Sequence, residues 1–246
     1  TPDHNSYLNW RNNITNRRDN ITWGYEVLGQ FQNYGEILDA PLQDDPTQGN
    51  RFLLPGDIRY RDINNDGIIN DMDVVPIGKG IIPEISFGLN GGLSYKKFDL
   101  NFLFQGAKGF NYLNGFWYDQ GLLWLGRNGL DKFYDRWHRE DLYDVDSEWV
   151  PGRFPSAYSG GNGRGNRAAS EFWVSDAKYI RLKNLEIGYT VNPSFLSKAG
   201  ITSIRINVSG TNLLTWTGLK DVDPERGDEL TYPITRMYNF GVNLQF

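Results

Sequence analysis

The chain contains no cysteine, only two histidines and only two methionines. Disulfides, zinc–thiolate centres, thiol nucleophiles and lipidated cysteines are therefore excluded from it. Its 25 basic residues do not outnumber its 30 acidic ones, and the lack of a basic stripe argues against a nucleic-acid partner. No run approaches the ~18 apolar residues of a membrane-spanning helix. No signal peptide is expected in this stretch: "TPDHNSYLNW" is polar from the start and reads as though cut from something longer. With only His4 and His138, and no serine-nucleophile motif, nucleophilic catalysis has no support. Glu140/Asp141 and Asp221/Asp223 are acidic pairs of the kind a glycosidase uses. Adjacency in sequence does not set the carboxylate separation, and solvated loop acids are far commoner. The expectation is that the chain is not an enzyme.

What is abundant is aromatic. Phe, Trp and Tyr make up 15% of 246 residues, yet the mean hydropathy is −0.54. A transmembrane β-barrel reconciles the two, because its strands alternate apolar and polar and long polar loops dilute the average. The alternation is there. Ile85, Phe87, Leu89, Leu93 and Tyr95 interleave with Ser86, Gly88, Asn90, Gly92 and Ser94, and Phe98, Leu100, Phe102 and Phe104 continue the phase after Lys96-Lys97. A two-residue turn there predicts Tyr95 opposite Phe98, Leu93 opposite Leu100 and Gly91 opposite Phe102. Three further strands are predicted around Leu185–Val191, Ile204–Val208 and Tyr238–Phe246.

The connections alternate as well. Backwards from Phe246 they run long (about 215–235), short (192–201), long (106–176), short (96–97) and long (before 83), as in bacterial barrels with short periplasmic turns and long external loops. A soluble β-sandwich also alternates along its strands. Its solvated faces are usually rich in Lys, Glu and Thr, whereas these favour Asn, Ser, Gly and Gln. The fold class expected is all-β, an antiparallel transmembrane barrel, with a secreted carbohydrate-binding β-sandwich as the alternative.

"RDINNDGIINDMD" has the spacing of a calcium loop. From Asp62, oxygen-bearing side chains fall at positions one, three, five, nine and twelve (Asp62, Asn64, Asp66, Asn70, Asp73), and Gly67 occupies the sharp-turn position six. Calcium, or magnesium, would take oxygens from Asp62, Asn64, Asp66 and Asp73 and from the Ile68 carbonyl, with Asn70 acting through water or shaping the loop. An ion-free Asn/Asp/Gly turn cluster is the competing reading. A calcium sensor is excluded, because Pro55-Gly56 upstream and two prolines with two glycines downstream leave no flanking helices. The aromatic run "FNYLNGFWYDQGLLWLG" and "YDRWHRED" could stack on a ligand or pack the loop on its neighbours. "GGNGRGN" (160–166) reads as a flexible tip, since no strand-to-helix junction surrounds it.

"GDIRYRDINNDGIIND", followed by "IGKGIIPEISFGLNGGLSYKKFDLNFLFQG", resembles the late-barrel region of the SusC/RagA family of TonB-dependent outer-membrane transporters. "FYDRWHRED", "SEFWVSDAKYIRLKNLEIGYTV", "SIRINVSGTNLLTWTGLKDVDPE" and the terminal "YNFGVNLQF" are similar to the next family landmarks, in order, from about Gly24 onward. The resemblance implies the C-terminal strands of a barrel of roughly 22 strands, with the plug absent from residues 1–246. It implies import of glycans or peptides under a SusD-like surface lipoprotein, energised by the TonB complex through the plug-bearing part. It places the chain in the bacterial outer membrane with its C-terminus periplasmic, and it puts the calcium-like segment 57–80 and the long loop 106–176 outside the cell. Tyr238, Phe240, Val242, Leu244 and Phe246 resemble the terminal strand that barrel-assembly machinery reads.

Overall fold

The computed structural model describes residues 20–43, 49–113, 130–157, 165–192, 200–220, 222–227, 232 and 234–246. His4, the aromatic run from 114 to 126, the glycine-rich stretch 160–164, Asp221 and most of the connection 192–201 lie outside them. In chain order the elements are β1 (Ile21–Gly24), β2 (Val27–Gln30), a short helix α1 (Tyr34–Leu38), β3 (Ile58–Tyr60), β4 (Val75–Lys79), β5 (Ile85–Tyr95), β6 (Phe98–Lys108) and β7 (Asn111–Leu113). Then come β8 (His138–Arg139), β9 (Trp149–Val150), β10 (Val174–Asp176), β11 (Tyr179–Val191), β12 (Ser203–Thr217) and β13 (Met237–Gln245). They fall into two compact units, Thr1–Ile81 with Asn111–Ser175, and Ile82–Phe110 with Asp176–Phe246.

The second unit is one antiparallel sheet in the order β13-β12-β11-β6-β5. Its first hairpin has the predicted register: Tyr95 faces Phe98, Leu93 faces Leu100 and Gly91 faces Phe102. Lys96 takes a left-handed φ of 56°, supplying the positive φ that a tight hairpin needs without a glycine. Period two then sorts every strand onto two faces. One row across the sheet reads Leu93, Leu100, Ile187, Val208, Phe240, and the next reads Tyr95, Phe98, Tyr189, Ile206, Val242. Rings reinforce this face: Phe98 and Tyr189 lie 4.6 Å apart, and the Phe102 ring lies over Gly91, in space a Cβ would fill. The opposite face carries Ser94, Asp99, Gly188, Asn207 and Gly241 in one row, and Gly92, Asn101, Glu186, Ser209 and Asn239 in another.

Two strands run further than period two predicts, β11 starting at Tyr179 and β12 ending at Thr217. The reason is a bulge. The register slips between Leu182 and Asn184 against both neighbours, and Asn212 of β12 sits at φ 54°. An extra residue of this kind reverses the parity of the side chains, so simple alternation stops there while pairing continues.

The first unit has little regular structure. Ile58, Tyr60, Ile69, Phe133, Phe154 and Trp173 form its core, and Phe31, Ile37 and Leu53 a smaller one. Residues from the 57–80 segment and from the 106–176 loop thus share a single core. Amide side chains do the work of a ladder. The Gln43 side chain donates to the Ile58 carbonyl (2.6 Å) and accepts from the Tyr60 N–H (3.0 Å). Buried Asn166 accepts from the Ile58 N–H and donates to the Asp57 carboxylate, both at 2.8 Å. Phe133 and Trp137 of "FYDRWHRED" are buried, so the packing reading holds for them. Tyr134, in contrast, is 80% exposed.

Candidate functional site

The calcium-like loop is a closed network of its own bonds. Asp62 accepts from the N–H groups of Asn65 (2.7 Å), Asp66 (3.3 Å) and Gly67 (2.8 Å). Asn64 and Asp66 bond each other, the Asn64 amide donating to the Asp66 carboxylate at 2.8 Å, and Asp66 accepts from the Ile68 N–H (2.9 Å). Asp73 is fully buried and accepts from Ile63 (2.8 Å) and Asn70 (2.9 Å), while Asn70 caps the short turn Asp71–Asp73 by accepting from the Met72 N–H (2.7 Å). Asn65 and Gly67 both have positive φ, 58° and 83°, which explains the glycine at position six. The loop is anchored by Ile69 in the core and by a bond from the Ile69 N–H to the Leu42 carbonyl (2.8 Å). Among the described residues, no group of three or more acidic or histidine side chains is arranged to hold a metal ion. The predicted oxygens are therefore neighbours in one loop, but most are turned toward backbone donors. Burial, and then the charges of Asp71 and Asp73, push the Tyr25 phenol above its ordinary value.

On the polar face of the sheet lies a charged trio that period two does not reveal. Arg205 of β12 reaches across β11 to Asp99 of β6, donating at 3.1 Å through Nε and 2.5 Å through Nη2, and it also bonds Glu186. It can do so because Gly188 stands between: a Cβ there would lie 2.5 Å from both the Asp99 carboxylate and the Arg205 guanidinium. All three charged side chains are about a quarter to a third exposed.

The loop acids correct an expectation. Asp223 is not solvated but bonded at 2.7 Å to Arg181, which is itself buried. Glu140 and Asp141 lie in the β8–β9 hairpin, where the Asp141 carboxylate accepts from the Tyr143 N–H at 2.9 Å.

The apolar face is bare. Leu93, Ile187, Val208 and Phe240 are 64%, 50%, 44% and 82% exposed. Tyr238, Phe240, Val242 and Leu244 project from the edge strand β13 onto it, and Phe246 follows directly after the strand, also exposed. No helix among the described residues is long and apolar enough to cross a membrane, which says nothing of strands.

No family model matches the chain. It is 32% identical over 241 residues to TonB-dependent receptor P3 of Formosa agariphila, and 26% identical over 239 residues to TonB-dependent receptor P26 of the same organism. Each alignment covers 91% of this chain, and the chain spans 22% of the length of these curated relatives. Among solved structures it resembles the RagAB peptide transporter, with a TM-score of 0.63 at 21% identity over 92% of this chain and 22% of that one. The RagAB peptide importer in its closed-closed state gives a TM-score of 0.61. The sequence likeness is to TonB-dependent receptors, of which this chain matches a part, and the structural likeness to RagAB is one of fold.

Proposed function

We propose that the chain supplies wall strands of a TonB-dependent outer-membrane transporter that imports glycans or peptides with a SusD-like lipoprotein partner. One observation carries this reading: a five-stranded sheet with a continuous bare apolar face, a polar opposite face, and β5 and β13 as unpaired edges. In water such edges and such a face invite aggregation, whereas lipid and further strands satisfy both. The rest of the barrel and its plug would pair with β5 and β13, TonB would act through the plug, and the barrel-assembly machinery would read β13. The long loops would face outward. A β-sandwich would need a second sheet over the apolar face, and none covers it among the described residues of this unit.

The test uses the full-length transporter in its native bacterium. Outer-membrane fractionation, detergent-dependent solubility and uptake of labelled oligosaccharides and peptides with and without TonB are compared. TonB-dependent uptake supports the reading. A monodisperse, detergent-free form of these 246 residues that binds glycans would overturn it.

For the loop at Asp62–Asp73 the proposal is a structural calcium ion held by Asp62, Asn64, Asp66, Asp73 and the Ile68 carbonyl. The oxygen spacing and the sharp turn that Gly67 makes at φ 83° support it. The ion would have to compete with the N–H groups already bonded to Asp62 and Asp73. Affinity on the order of 10⁻⁴–10⁻³ M is therefore expected. Calcium titration of wild type against Asp66→Ala, read by calorimetry and loop protease sensitivity, tests it; identical curves would remove the ion from the account.

A further inference from the structure

Arg181 is the largest fully buried side chain among the described residues, in a strand whose neighbours are otherwise half open. It lies on the polar face, opposite Gln105 of β6 and Thr215 of β12. Each of its three nitrogens donates: Nη2 to Asp223 and Nη1 to Glu225, both at 2.7 Å, and Nε to the Thr215 hydroxyl at 2.9 Å. Lys183 donates to the same Glu225 oxygen at 2.7 Å, and the Tyr179 hydroxyl to the other at 3.2 Å. Two cations thus meet two carboxylates, and the acids come from one tripeptide, Asp223-Pro224-Glu225. The tripeptide is shaped for the grip, because Asp223 accepts from the Glu225 N–H through its side chain and from the Arg226 N–H through its carbonyl, both at 2.9 Å.

Such a cluster does more than cap a strand. A connection leaving β12 at Thr217 could run outward from the sheet. Here residues 222–227 fold back over the face that also carries Asp99, Glu186 and Arg205. A planar guanidinium fixes two carboxylates in position as well as in charge, and removing one partner leaves the remaining charge buried and unpaired, which is costly.

We propose that Asp223-Pro224-Glu225 forms a fixed constriction in the transporter's passage and that Arg181 is the residue that positions it, setting the upper size of what passes. The proposal rests on the reading of the polar face as the passage wall. It requires the tripeptide to stay docked during transport, and it makes the clamp, at the long-loop ends of β11 and β12, the narrow point on this side.

The experiment uses the full-length transporter in nanodiscs, with spin labels on cysteines introduced at Asn90 and Arg226 and any cysteine elsewhere in the protein replaced. The docked segment gives one narrow distance distribution. Arg181→Gln shifts it to longer, broader distances, and Arg181→Lys recovers part of the narrow population. Because an unpaired buried acid could harm folding, Arg181→Met with Asp223→Asn and Glu225→Gln is measured beside them; it assembles normally but still releases the segment. In cells, these releasing variants raise uptake of long oligosaccharides or peptides relative to short ones, whereas simple destabilisation lowers all lengths together. An unchanged distance in Arg181→Gln overturns the clamp. A released segment with an unchanged length profile overturns its role in passage. Absence of TonB-dependent uptake in the unmodified transporter overturns the functional reading instead, and the distance measurement still decides the clamp.

Discussion

The two units of this chain hold themselves together by opposite means. The sheet of residues 82–110 and 176–246 is bonded backbone to backbone, and its side chains are left over to face two different media. Among its described residues, the unit of residues 1–81 and 111–175 has only two-stranded scraps of sheet, and it satisfies its buried backbone with Gln43, Asn50, Asp57, Asp73 and Asn166. A ladder tolerates most side-chain changes, because no side chain makes it. A globule tied by amides does not, because each tie is one residue's identity. Sensitivity to mutation should therefore follow face in the sheet and hydrogen bonding in the globule.

The largest test of that contrast compares neighbours. Val208→Lys places a charge on the apolar face and should cost about 2–4 kcal/mol if its row lies near the bilayer centre. Ser209→Lys, one residue on and beside Glu186, should be nearly neutral. Outer-membrane levels of the full transporter measure both, and equal losses would erase the distinction between faces. In the other unit, Asn166→Ala removes a donor from Asp57 and the acceptor of the Ile58 N–H, for about 2–3 kcal/mol. Hydrogen exchange should rise around Ile58 and Trp173 while β5, β6, β11, β12 and β13 keep their protection. Exchange spreading through the sheet would show that the two units unfold as one.

Smaller effects sharpen the picture. Gly188→Ala should force Arg205 from Asp99, but that pair is partly solvated, so only a small loss of stability is expected. In a double-mutant cycle with Asp99→Asn, the second change should add little. Last, the raised Tyr25 phenol favours the folded state while neutral. That contribution is complete below its unfolded value near 10.0 and is lost as pH rises through the higher folded value. Alkaline titration should loosen the globule before the sheet, and Tyr25→Phe should remove that difference.

The hairpin register was legible because period two and a two-residue turn leave one pairing that keeps apolar residues on one side. Legibility ended at Lys183 and Asn212, where a bulge inverts the parity that the reading relied on. The clamp was invisible for another reason: Arg181 and Glu225 are brought together by a connection with no periodicity of its own. The globule was harder still. Asn50 and Asn166 look like ordinary loop residues, and nothing local marks them as the ones whose amides replace a strand. The calcium-like spacing was legible as a loop, and the loop formed; its oxygens turned mostly to backbone donors.

The insertion between β6 and β11 also bears on how fast this chain can fold. These strands are neighbours in the sheet but lie about seventy residues apart, against two residues at Lys96-Lys97. Closing the longer loop costs about 3 kcal/mol more in chain entropy, so the β5–β6 hairpin should zip early and wait for β11. The wait is shortened at the insertion's own ends, where β7 pairs with β10 and the Ala177 N–H donates to the Phe110 carbonyl at 3.2 Å. Once those ends are joined, β6 and β11 emerge side by side, and a long-range search has become a local one.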